Sequence, residues 1–145
     1  MNRAGFTLVE LLIVFSISMM LFGIIGNFAS NTYPKNQLRS ETQTVVQTIR
    51  QAQVLTIARK NDTVWGVHVE GATLTLFGGS SYETRDESLD RTHVFPSGVI
   101  VSGLTDVVFI PLKGTTEQTG QITLSSQATA ESFSLTINEN GVVSF

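Results

Sequence analysis

One segment constrains this chain more than any other: Phe6 to Ala29, twenty-four residues that hold a single charge, Glu10. It reads FTLVELLIVFSISMMLFGIIGNFA. As an α-helix rising ~1.5 Å per residue it spans roughly 36 Å, against a hydrocarbon core of ~30 Å. Apolar side chains occupy the whole circumference, so the run is not an amphipathic surface helix. It reads as a membrane anchor. Arg3 and the α-amino group precede it, and a long, slightly acidic chain follows. That asymmetry puts the N-terminus in the cytoplasm and residues after about 30 outside. A secretory signal peptide is the rival reading. It requires small residues at the −1 and −3 sites, and Asn27-Phe28-Ala29 meets that poorly. The run also exceeds the ~7–15 residues of a signal's apolar region.

The rest of the composition narrows the field. A length of 145 residues suits one modest core and no second domain. The net charge of −3, with 14% charged residues, argues against both a strongly basic nucleic-acid binder and a charged disordered chain. With no cysteine, disulfides, thiolate nucleophiles and cysteine-ligated metal sites are excluded.

Two details exceed a generic anchor. Glu10 lies inside the apolar run, where a central acid costs on the order of 2.5–3.5 kcal/mol on translocon scales. A five-residue polar leader also ends in Gly5, directly before Phe6. The stretch Met1-Asn2-Arg3-Ala4-Gly5, then Phe6-Thr7-Leu8-Val9-Glu10-Leu11-Leu12-Ile13-Val14, resembles the class III signal of type IV prepilins and type II secretion pseudopilins. The resemblance implies that a membrane peptidase cuts the Gly5–Phe6 bond on the cytoplasmic side and that Phe6 is then N-methylated. Glu10 then stands at mature position five.

Elementary physics agrees with that implication. Phe6 and Glu10 are four residues apart and share a helical face. Cutting before Phe6 creates an ammonium group at the head of an apolar helix. An unpaired carboxylate and an unpaired ammonium are both costly in lipid, so Glu10 of one subunit can neutralise the α-amino group of Phe6 on its neighbour. Such pairing would set the axial register of a helical assembly.

Beyond the anchor, Pro34 lacks an N–H and disfavours helix at Tyr33, which predicts a kink or pause. Helical spacing resumes from Leu38 to Lys60 through Val45, Ile49, Ala52, Leu55 and Ala58. Ser40 with Gln43 offers a capping box, and Asn61-Asp62 ends the helix. The stretch VVQTIRQAQVLTIARKNDTV is similar to the pseudopilin-H and FimT-like minor pilins, in which such a helix leads to a first strand.

The remainder reads as strands. Trp65, Val67 and Val69 alternate with polar or small residues, and Glu70-Gly71 turns the chain into Thr73–Phe77, which Gly78-Gly79 stops. Residues 80–92 read as a polar, mixed-charge loop. Short strands follow at 99–101 and 107–110, a loop at 113–120, and alternation at 121–124. Phe133, Leu135 and Ile137 face one way, and Asn140-Gly141 predicts a hairpin into the last residues. The expected fold class is α+β: a long N-terminal helix, half membrane anchor and half amphipathic, packed on a mostly antiparallel β-sheet head. The expected division is a leader 1–5, a transmembrane and assembly helix 6–29, a kink and amphipathic helix 30–62, and a β-rich head 63–145.

No active site is legible. His68 and His93 are isolated and lack zinc-ligand spacing, and both read as structural or surface side chains. No G-x-S-x-G elbow, phosphate loop or dinucleotide fingerprint occurs. Asp86, Glu87 and Asp90 offer oxygen ligands for calcium, but the spacing is not an EF-hand and Arg85 and Arg91 flank them. No metal or cofactor is expected. From Asn27 onward the chain carries 8 basic and 11 acidic residues, and the C-terminus holds no arginine. DNA binding is therefore not supported.

The resemblance implies a non-enzymatic structural subunit, a minor pilin or pseudopilin of a type IV pilus or a type II secretion pseudopilus. Its implied partners are other pilin subunits, prepilin peptidase, a membrane assembly platform and the lipid bilayer. It would sit as a single-pass inner-membrane protein before entering the filament. A major pilin, or a bitopic surface protein with a ligand-binding β head, are the alternatives.

Overall fold

The computed structural model describes residues 7–144, the side chains of residues 23–34 apart. One helix and two sheets make up the architecture. Helix α1 (Leu8–Ile57) is a single element of 50 residues. Thr7 caps it in an extended conformation, and its Oγ1 accepts a hydrogen bond from the Glu10 N–H at 3.3 Å. A hydroxyl at this position satisfies one of the helix's orphan donors.

The expected pause at Pro34 does not occur, because helical backbone runs through it. A proline removes one ladder bond, whereas long helical segments on both sides propagate at little cost once nucleated. For the same reason Ser40 is not a cap. It lies in mid-helix, and its carbonyl accepts from Thr44 Oγ1 at 3.1 Å. The helix ends near the expected point, in a short 3-10 turn (Lys60–Asp62) in which Asn61 and Asp62 take positive φ.

The second half of α1 buries a stripe of Leu38, Val45, Ile49 and Ala52, none with accessible surface. Thr42 and Thr56 lie in the same stripe, while the expected members Leu55 and Ala58 are partly buried and exposed respectively. Thr56 ties the helix end to the first strand. Its Oγ1 accepts from the Trp65 N–H at 2.8 Å and donates to the Trp65 carbonyl at 3.2 Å.

The eight strands are β1 (Trp65–Glu70), β2 (Thr73–Gly78), β3 (Asp86–Val94), β4 (Val99–Gly103), β5 (Asp106–Val108), β6 (Gly120–Ser126), β7 (Ser132–Ile137) and β8 (Val143–Ser144). They form two four-stranded sheets, ordered β3-β2-β1-β5 and β4-β6-β7-β8, with antiparallel pairing throughout. The fold is thus α+β, as expected. Core residues of both sheets, including Val67, Leu76, Ile122 and Leu135, close onto the α1 stripe. The β7–β8 hairpin turns at Gly141, whose φ of 70° suits glycine.

Residues 80–92 are not one loop. Asp86–Val94 is a strand paired to β2, with a register shift between Leu76 and Gly78. Its charge hid it from a hydrophobic pattern, and charge is what an edge strand carries to deter wrong pairing.

Candidate assembly helix and head surface

From Leu8 to Phe22, α1 meets no partner among the described residues. Leu8, Phe15, Met19 and Phe22 are 76%, 65%, 78% and 77% exposed. Its two serines are satisfied internally: Ser16 Oγ donates to the Leu12 carbonyl and Ser18 Oγ to the Val14 carbonyl, each at 2.8 Å. A hydroxyl bonded to its own helix presents no unpaired polar group to an apolar surrounding. Glu10 is exposed in the first turn, where its negative charge complements the helix dipole. Together with Thr7 it forms the cap of the helix, a signal present in the sequence as Thr-x-x-Glu but not singled out there. Gly5 and Phe6 lie outside the described residues. Among the described residues no helical stretch is long and apolar enough to cross a membrane. Of the expected span Phe6 to Ala29, Phe6 and the side chains from residue 23 on lie outside what the structure describes.

The head carries its polar chemistry on the face of the first sheet opposite α1. Trp65, Val67 and Val69 point into the core, so Gly66 and His68 point away. Phe77 of β2 covers Gly66 closely, since a Cβ there would stand 2.6 Å from Phe77 Cζ. Beside it Tyr82 stacks on His68 with ring centroids 3.6 Å apart, and the Arg85 guanidinium lies 3.9 Å from the centre of the Tyr82 ring. Asp90 accepts from Arg85 Nε at 2.8 Å, and this hydrogen bond holds Arg85 more firmly protonated than usual. His68 Nδ1 is 2.7 Å from Asp106 Oδ1, and its Nε2 is buried without a hydrogen-bond partner.

His68 is therefore structural, as expected: it anchors the segment that covers Phe77. His93 links layers, with Nε2 2.7 Å from Glu41 Oε2 on α1. Of the three calcium candidates, Asp90 is taken by Arg85, Asp86 accepts from Ser88, and the exposed Glu87 lies 3.7 Å from Arg85 Nη2. Among the described residues no group of three His, Cys, Asp or Glu side chains could hold a metal. A depression of about 460 Å³ is lined by Thr115, Thr116, Glu117, Thr119, Glu139 and Asn140 and brings neither histidine to its wall. No nucleophile–base pair of the kind that catalysis requires is assembled there.

In the sequence a polar leader precedes a helix whose described apolar residues, Leu8 to Phe22, are exposed, and that helix continues into an α+β head. The prokaryotic N-terminal methylation motif matches residues 1–26. The fold is that of the minor pseudopilin EpsH from the type 2 secretion system of Vibrio cholerae, at a TM-score of 0.57 and 12% identity. That likeness covers 74% of this chain and 94% of the other. No curated protein sequence matches significantly. Motif and fold together support a pilin or pseudopilin structural subunit, and the ligand-binding alternative is not favoured.

Proposed function

We propose that this chain is a non-enzymatic minor subunit of a type II secretion pseudopilus or a type IV pilus. Prepilin peptidase cuts it between Gly5 and Phe6, Phe6 is N-methylated, and a membrane platform draws the helix into a filament. Before assembly the segment from Phe6 to Ala29 holds it in the inner membrane, with the head outside the cytoplasm. On assembly the Glu10 carboxylate pairs with the new α-amino group of Phe6 on an adjacent subunit.

One observation carries this reading: the methylation motif at residues 1–26 sits at the head of a helix whose large apolar residues from Leu8 to Phe22 are exposed among the described residues. Apolar side chains gain roughly 25 cal/mol per Å² on leaving water, so such a surface needs an external partner. Lipid supplies one before assembly and neighbouring helices supply it after.

Mass spectrometry of the chain isolated from membranes tests the proposal. The mature protein is expected to begin at N-methylated Phe6, and Gly5→Leu is expected to leave Met1 or Asn2 at the N-terminus. Glu10→Ala is expected to be processed yet excluded from filaments, since the carboxylate of the intersubunit pair is lost. A native chain that keeps residues 1–5 would overturn the assignment, as would undiminished incorporation of Glu10→Ala into filaments.

A further inference from the structure

Among the described residues other than glycine, Leu112 is the one apolar residue with a positive φ, at 65°. Glycine takes that backbone freely, whereas a leucine takes it at a steric cost. Burial within its own chain does not offset the cost, because Leu112 is 71% exposed. A strained residue that its own chain does not reward is found where function holds it.

The place where Leu112 stands is rigidly built. In its turn the Gly114 N–H donates to the Ile110 carbonyl at 2.9 Å, and the Ile110 N–H donates to the Thr115 carbonyl at 2.8 Å. Gln53 Nε2 on α1 donates to the Gly114 carbonyl at 2.7 Å and to the Asn140 carbonyl at 3.2 Å. The packing is close, since a Cβ on Gly114 would lie 2.6 Å from Ile57 Cδ1. Two turns and the end of α1 thus meet at Gln53, and Val54, Ile57, Leu112 and Val142 stay exposed around it. Apolar side chains on a fixed base bind with little ordering cost.

Position and charge decide what covers them. Val54 lies about 48 Å beyond Phe22 along α1, at ~1.5 Å per residue. A bilayer core of ~30 Å around the first stretch does not reach this platform. Arg50, one helical turn before Val54, Lys60, just past the end of α1, and Lys113, beside Leu112, are exposed cations. None of the three has an ion-pair partner among the described residues. Two carboxylates, Glu117 and Glu139, line the neighbouring depression at Thr115, Thr116 and Asn140. Three cations against two acids make this end basic in a chain whose net charge is −3.

We propose that this platform docks the head of a different pilin-type subunit, one lying further from the membrane, through an apolar residue ringed by carboxylates. This role rests on the filament reading, in which parallel helices set one subunit's distal end against the subunit ahead of it. A second copy is not the occupant: tip to tip it would bring like charges together and turn its anchor away from the membrane. Opposite charges at the rim steer and register the contact, and the apolar centre supplies its affinity.

Photocross-linking in cells that assemble the filament tests the proposal, with benzoylphenylalanine replacing Val142 in the full-length chain. The expected adduct joins the mature chain, beginning at N-methylated Phe6, to a different subunit that itself carries an N-methylated N-terminus. Leu112→Gly is expected to lower the adduct yield about tenfold without lowering the thermal unfolding midpoint of the purified chain, since glycine relieves the strain. Arg50→Glu combined with Lys113→Glu is expected to lower the yield about tenfold as well, whereas Arg91→Glu on β3 leaves it unchanged. Processed chains in filaments that give no adduct would overturn the proposal and leave the filament reading standing. So would an adduct only with a second copy, or only with a protein that lacks a methylated N-terminus. A yield indifferent to Leu112→Gly or to the paired charge reversals would overturn it too, as would a midpoint lowered by Leu112→Gly, because Leu112 would then serve its own head. Chains that keep residues 1–5 would overturn both readings.

Discussion

The two halves of α1 share one backbone geometry and differ in everything the side chains touch. From Leu8 to Phe22 the large apolar residues are half to three-quarters exposed, whereas from Leu38 to Ala52 the apolar stripe has no accessible surface. In the second half polar residues such as Arg39, Gln43, Gln47 and Arg50 occupy the outer face, so burial against the two sheets completes the helix. From Leu8 to Phe22 apolar residues lie on every side, and none of the described residues covers them. One helix thus has two environments: its C-terminal half is part of the folded head, and its N-terminal stretch stands exposed.

That contrast can be broken by truncating one residue in each half. Ile49→Ala removes a side chain enclosed by both sheets and is expected to cost the head about 2–5 kcal/mol in urea unfolding. Leu12→Ala, on the exposed half, is expected to change the same measurement by less than about 0.5 kcal/mol. Equal effects would mean that the halves are not energetically separate.

A smaller effect sharpens where the buried half ends. In Thr56→Val the shape is kept but both hydrogen bonds to the Trp65 backbone are lost. The Trp65 carbonyl keeps the Phe109 N–H at 3.3 Å, so one buried N–H is left unpaired, at an expected cost of about 1–3 kcal/mol read as a lowered midpoint of thermal unfolding monitored by Trp65 fluorescence.

The smallest effect concerns the edge of the head remote from the helix. The Ser88 hydroxyl and then its N–H hydrogen bond to Asp86, at 2.6 and 3.0 Å, and hold this carboxyl below the usual aspartate range. Its stabilising contribution is therefore present above the ordinary aspartate value of ~3.9 and fades as pH falls through the lowered folded value. Ser88→Ala removes the larger cause. The Asp86 titration followed by NMR is expected to move back up toward the ordinary value, with no change at neutral pH.

Much of this was legible without coordinates, and for local reasons. The exposed apolar stretch Leu8–Phe22, the helical stripe at Val45, Ile49 and Ala52, and the turns at Glu70-Gly71 and Asn140-Gly141 are all set by neighbours within a few residues. Misreadings arose where distant residues decided. Pro34 suggested a break, yet long helix on either side carries the backbone through. Strand β3 looked like a polar loop because its partner is β2 and its other edge faces water. Nothing near His68 in the sequence announces Asp106 or Tyr82, which reach it across a sheet and from a folded-back loop.

The amino-acid order alone determined the place of the single acid, Glu10, in the apolar run and the division of one helix into a half apolar on every side and a half with one apolar stripe. Those properties depend on composition along a single segment, and a periodic helix displays them without outside help. Tertiary structure decided the order of the eight strands, the Phe77–Tyr82–His68 cover on the outer sheet face and the place of β4 at a sheet edge. Each of those depends on chain segments far apart in sequence meeting in one register, and residue order records such meetings only weakly.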